Sequence, residues 1–135
     1  MICILAFTSS CNNLTAQKVE NLPGRMPGQE WENTFVEKIA DDSLCTSFHL
    51  WIKGGVKHHF HSTHTECIYF LEGEGQMELG ESIFNVKVGD FVQVPRGTVH
   101  AVTVSKTMHV ISIQTPQWVT EDRQFVAPIR RPHNE

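Results

Sequence analysis

The chain has 135 residues, a length that fits one ordinary domain. Apolar residues make up 40% of it, enough for a core and too many for a disordered chain. The net charge is -4 with a pI near 6.0, and the single Arg pair, Arg130–Arg131, sits in a proline-containing tail. That balance argues against nucleic acid as a partner, because phosphate binding needs clustered Lys and Arg. No apolar run approaches the ~20 residues that span a bilayer.

Residues 1–11 are set apart from the fold as a signal or lipoprotein segment. A short apolar run, Ile2–Phe7, leads into small residues and then Cys11. The arrangement resembles the end of a bacterial lipoprotein signal, and that resemblance implies a lipid anchor at Cys11 and an envelope or periplasmic location. It departs from such a signal in three ways. No Lys or Arg precedes the run, the run is shorter than the usual ~7–15 residues, and Thr8 stands where an aliphatic residue is usual. The alternative is a plain apolar N-terminus on a cytoplasmic protein.

Residues 12–33 form a polar arm broken by Pro23-Gly24 and Pro27-Gly28. From residue 34 to residue 115 the pattern is of short β-type segments. They are Thr34–Ala40, Leu44–Ile52, Val56–His61, Cys67–Leu71, Gln76–Leu79, Ile83–Val88, Phe91–Val94, Thr98–Val104 and Met108–Gln114. Turn residues such as Gly54-Gly55, Gly80-Glu81 and Gly89-Asp90 separate them. Many short strands at this spacing indicate an all-β sandwich or barrel, and no segment after Trp31 keeps a helical period. The tail, 116–135, carries Trp118, Phe125 and three prolines, and is expected to lie along the barrel or to reach a partner subunit. Cys45 and Cys67 form no C-x-x-C motif and read as small buried hydrophobes, with a disulfide between them left open.

Four of the eight histidines fall between His58 and His64. On a strand over Val56–His61, side chains alternate, so His59 and His61 share one face while His58 and Phe60 share the other. After the Ser62–Thr65 turn, an antiparallel neighbour can bring Glu66 into the same cavity, with Ile68 and Phe70 on its face. Two imidazoles and a carboxylate suit iron(II), manganese, nickel or zinc. The simpler alternative is a polar strand that is merely rich in histidine. A helix would align His58, His61 and His64, but Gly54-Gly55 and the β-branched Thr63 and Thr65 oppose it.

A second stretch, GDFVQVPRGTVHAV over Gly89–Val102, weighs against that alternative. His59-x-His61, four residues, Glu66, six residues and Gly73 make one motif; Gly89, five residues, Pro95-x-Gly97, two residues and His100 make another. Together they resemble the two motifs of the cupin superfamily. The resemblance covers about Leu44 to Gln114 and departs at two points. Gly54 stands one residue too near His59, and Val104 replaces a terminal Asn. It implies a small double-stranded β-helix, or jelly-roll, barrel with one divalent metal ion held by His59, His61, Glu66 and His100. It also implies a homodimer and a small-molecule substrate or ligand.

What the resemblance implies about function is broad. Cupins include dioxygenases, sugar-phosphate isomerases and lyases, so an enzyme acting at a mononuclear metal is expected. The alternative is a non-catalytic ligand- or carbohydrate-binding sensor. No catalytic residue beyond the ligands is named. His64 is expected at the rim, Tyr69 in packing, Trp51 in the core, and Glu72 and Glu74 in solvent; Gln76, Gln93 and Gln114 could reach a pocket, but as polar strand residues they are more simply solvated. His49 and His109 are given no role.

Overall fold

Eight β-strands account for the helices and strands among residues 19–129, the part of the chain that the computed structural model describes. The Ile2–Phe7 run, Cys11 and the Arg130–Arg131 pair lie outside the described residues. The strands are β1 (Thr34–Asp41), β2 (Thr46–Ile52), β3 (Val56–His61), β4 (Thr65–Leu79), β5 (Ser82–Lys87), β6 (Phe91–Val94), β7 (His100–Thr115) and β8 (Arg123–Phe125). All pairings are antiparallel in one curled sheet. The fold is the double-stranded β-helix expected from the sequence. No helix among the described residues is long and apolar enough to cross a membrane.

Two long strands organise the sheet. β7 pairs with β2 through its C-terminal half, with β3 through its N-terminal half, and with β4 along nearly its whole length. The sequence reads each of β4 and β7 as two strands, because Gly73 and Gly75 interrupt one and Ser105-Lys106-Thr107 the other. The pairing instead runs through, with register shifts between Phe70 and Gly75. Glycine is what permits it. Gly73 has φ +84°, and a Cβ there would stand 2.2 Å from the Thr107 carbonyl oxygen; at Gly75 a Cβ would stand 2.1 Å from that of Thr103.

The strands bury their inward residues by alternation. Ile52, Ile68, Phe70, Met77, Val86, Val94, Val102, Met108 and Val110 form the core. Each such side chain contributes on the order of 1.5–3 kcal/mol by leaving water. Cys45 and Cys67 are free thiols and half-buried. Tyr69 points outward and is 44% exposed, so it does not pack as expected, because its neighbours Glu66, Ile68 and Phe70 take the inward positions.

The tail folds back onto the barrel. Trp118 N–H donates to Thr46 Oγ1 at 2.9 Å, its ring meets Phe48 edge-on at 5.7 Å, and β8 pairs with β3. No strand pattern in the sequence marks β8, which is three residues long and exposed throughout.

Candidate metal centre

Alternation along β3 turns His59 and His61 inward, where they are 4% and 3% exposed. His58 faces away and lies 3.0 Å from Glu78 Oε2. His100, at the first position of β7, is the register partner of His59, with ring centroids 4.1 Å apart. A turn places it there. Thr98 N–H donates to the Pro95 carbonyl at 3.0 Å across a bend in which Gly97 has φ +79°, the backbone a type II turn demands at that position. Gly97 N–H then donates to the His61 carbonyl at 2.8 Å, tying the turn to β3.

Glu66 enters from β4, which does not pair with β3 as the sequence reading assumed; β7 stands between them. The carboxylate therefore reaches the histidines across the barrel interior. Its Oε2 lies 3.4 Å from His61 Nε2 and 3.3 Å from His100 Nε2, and Ser112 Oγ donates to its Oε1. One ring nitrogen from each of His59, His61 and His100 lies within 4.8 Å of the others, and the cluster could hold a metal ion. All four sequence-predicted site residues converge on one buried space.

Each imidazole is oriented by its other nitrogen. His59 Nδ1 lies 2.8 Å from the Lys57 carbonyl, His100 Nδ1 3.1 Å from that of Thr98, and His61 Nδ1 2.9 Å from Asp122 Oδ1. Bonds to these acceptors leave the proton on Nδ1 and aim an acceptor Nε2 inward. Nε2 of His61 and Nε2 of His100 are buried without a hydrogen-bond partner, the Glu66 contacts being longer than the usual 2.7–3.2 Å. Buried polar atoms normally find partners, so an inward pair of lone pairs beside a carboxylate fits a cation.

Electrostatics agree at His59 and Glu66 and run the other way at His61. Burial pushes His59 down to about 4, with the neighbouring His100 adding to it, so it is neutral at physiological pH. Burial opposes charge on Glu66, but His100, His61 and Ser112 outweigh it and hold the carboxyl well below its usual range. On His61, burial is outweighed by Glu66 and Asp122, which raise it.

Asp122 was missed in the sequence, as nothing in WVTEDRQF marks it. It is 5% exposed, and it also corrects the place of His64. Asp122 Oδ2 accepts from Thr63 N–H at 3.0 Å, Thr63 Oγ1 at 2.7 Å and His64 N–H at 3.2 Å, and lies 2.7 Å from His64 Nδ1. His64 is thus buried at 3% rather than at the rim, since the same carboxylate that holds His61 draws the whole turn inward. His61, His64 and Asp122 also lie close enough to hold an ion, but their atoms are already satisfied by this hydrogen-bond network. It is the first cluster that has nitrogens to spare.

A cavity of about 210 Å³ opens above His61 and Glu66, walled by Phe48, Leu50 and Trp118, with Gln114, Glu121 and Arg123 at its polar edge. Gln114 is only 9% exposed, against the expectation of a solvated residue, because it shares the inward face of β7 with Ser112. A larger groove of about 510 Å³ between β4, β5 and β7 contains no histidine, so volume alone does not mark the site.

Fold and site together define a small barrel built around an inward histidine–carboxylate cluster. Residues 47–114 match the family described as cupin domain, and the chain belongs to that family. L-ectoine synthase of Halomonas elongata is 34% identical over 90 residues. That match covers 64% of this chain and 65% of that protein, a little under two thirds of its length. Among solved structures, a RmlC-like cupin protein from Desulfovibrio desulfuricans superposes with a TM-score of 0.65 at 21% identity, covering 76% of this chain and 99% of its own. KdgF from Halomonas sp. superposes at 0.60 with 20% identity, covering 65% and 85%.

Proposed function

We propose that this cupin is a metal-dependent enzyme acting on a small molecule, with His59, His61, Glu66 and His100 as the ligands of one divalent ion. The observation that carries this reading is the pair of buried, partnerless Nε2 atoms of His61 and His100 facing the Glu66 carboxylate. Three imidazoles and one carboxylate leave coordination positions open, as reactive sites do. Iron, manganese, nickel or zinc suits this donor set. When bound, such an ion polarises a substrate oxygen as a Lewis acid.

The protein residues do the rest. Lys57 and Thr98 carbonyls and Asp122 fix the imidazoles, and Ser112 fixes Glu66. Trp118 and Phe48 shield one side of the cavity from water. The relation to L-ectoine synthase supports an enzymatic rather than a sensory role. Elemental analysis of protein purified without a nickel column, followed by product detection with candidate substrates, tests both halves. A divalent metal and a chemically changed substrate are expected. Protein that takes up no divalent ion would sink the proposal, and bound ligand recovered unchanged would turn it toward a binding barrel.

A further inference from the structure

The polar edge of the cavity has its own chemistry, supplied by the C-terminal tail. Arg123 is the register partner of His61 across β3 and β8. Register partners point to the same side of a sheet, so the guanidinium stands over the face that carries the metal-site histidines. There it lines the cavity and feels the Glu66 carboxylate.

In this structure Arg123 is occupied by Glu121. Nε donates to Glu121 Oε1 at 2.9 Å and a terminal nitrogen to Oε2 at 2.8 Å. Both side chains are well exposed, 40% and 50%. A fork-to-carboxylate pair has the geometry that recognises any carboxylate, and an exposed one is weakly held. On the same polar edge, Gln114 Oε1 is buried and has no hydrogen-bond partner. It is an acceptor, and it calls for an N–H or O–H on whatever fills the space.

We propose that the cavity recognises a small carboxylic acid. Its carboxylate displaces Glu121 from Arg123, a hydroxyl or N–H of the same molecule donates to Gln114 Oε1, and its other end meets the histidine cluster. This rests on the reading of that cluster as the reacting centre. The volume of about 210 Å³ lies below the ~300–1,000 Å³ usual for drug-sized ligands, so the acid is a small metabolite. A phosphate is a worse fit, because among the described residues Arg123 is the one Lys or Arg lining the cavity, and Glu66 and Glu121 already oppose a dianion.

The probes are glycolate, lactate and 3-hydroxybutyrate, monoanions that each carry a hydroxyl, each beside its neutral amide, titrated calorimetrically into zinc-loaded and metal-free full-length protein. At least one acid should bind about tenfold or more tightly than its amide, the margin expected of a charge-assisted fork. Arg123→Gln should reduce that preference below about twofold with zinc content unchanged, and Glu121→Gln, which frees the guanidinium, should tighten acid binding severalfold. An unchanged preference in Arg123→Gln, weaker acid binding in Glu121→Gln, no acid preference in either form of the protein, or tighter binding of inorganic phosphate than of every acid would each overturn the proposal. The two readings separate cleanly. Failure to take up zinc sinks the metal centre alone, while the acid preference of the metal-free protein isolates Arg123.

Discussion

Strands β2, β3 and β7 together bury histidines on both faces of the sheet, and the two groups have little else in common. Inside the barrel, His59, His61 and His100 hold their Nδ1 atoms against fixed acceptors and present Nε2 atoms to a shared space. Outside, His49 Nδ1 and His109 Nε2 lie 2.8 Å apart and bond to each other, while the buried His109 Nδ1 faces Glu72 Oε1 at 3.9 Å, beyond hydrogen-bond reach. Both stack with Trp51, at 5.0 and 4.6 Å. The N-terminal arm closes over them. Trp51 Nε1 donates to the Arg25 carbonyl at 3.0 Å, Gly24 N–H donates to Glu72 Oε1 at 2.7 Å, and Arg25 pairs with Glu20 and Glu37. Burial is nearly equal in the two groups. What differs is whether nitrogens converge on a space or on each other.

The largest effect should separate the groups outright. His100→Ala should abolish tight metal binding, and with it the stabilisation a metal gives, about 2.7 kcal/mol at a hundredfold excess over the dissociation constant. His109→Gln should keep the full metal content. Metal analysis and thermal unfolding with and without added metal read both. Metal retained in His100→Ala would mean the inner cluster is no more a site than the outer one.

A smaller effect sharpens the comparison at Asp122. It touches the site only through His61 Nδ1, so Asp122→Ala leaves every proposed ligand in place. Outer partners of metal-bound histidines typically matter 10–100-fold in affinity. A loss of about that size, measured by competition with a chelator, is expected, whereas Glu72→Ala beside His109 should change nothing. Equal affinity in Asp122→Ala would show that the carbonyl-held pair, His59 and His100, sets the geometry unaided.

The inner group was largely legible in the sequence, and the reasons are local. Strand alternation alone chose His59 and His61 and set His58 aside, because a period of two is fixed by the pleat. His100 needed the resemblance, since only the Gly97 turn, docked on the His61 carbonyl, brings β7 to β3. Asp122 and Arg123 were not legible as site residues, and Gln114 was legible only as a strand residue able to reach a pocket and more simply solvated. They arrive through pairing of a three-residue exposed strand and the far end of β7, contacts between residues about 50–60 apart that leave no local pattern. The outer group was unreadable for the same reason. Glu72 was expected in solvent and its side chain is 42% exposed, yet its Oε1 accepts from Gly24 N–H of an arm nearly 50 residues earlier, a contact that no local pattern announces.

The smallest effect belongs to the outer pair and is one of acidity. Burial lowers the His109 pKa below its ordinary 6.5, and His49 lowers it further, against the opposing pull of Glu72 at 3.9 Å; Arg25 also lowers it. A lowered histidine binds fewer protons folded than unfolded between its folded value and 6.5. Stability then rises with pH across that window, is complete above 6.5, and is lost as pH falls below it. In metal-free protein His59 contributes in the same direction, over a window that runs down to about 4. Unfolding midpoints in urea measured from pH 7 down to pH 4 should therefore fall for wild type and fall less for His109→Gln. Added metal should hold His59 neutral and leave the outer pair's share of the slope. A variant whose slope matches wild type would show that the arm over the outer pair yields to protonation at no cost, and that of His59 and His109 only His59 is held neutral by the fold.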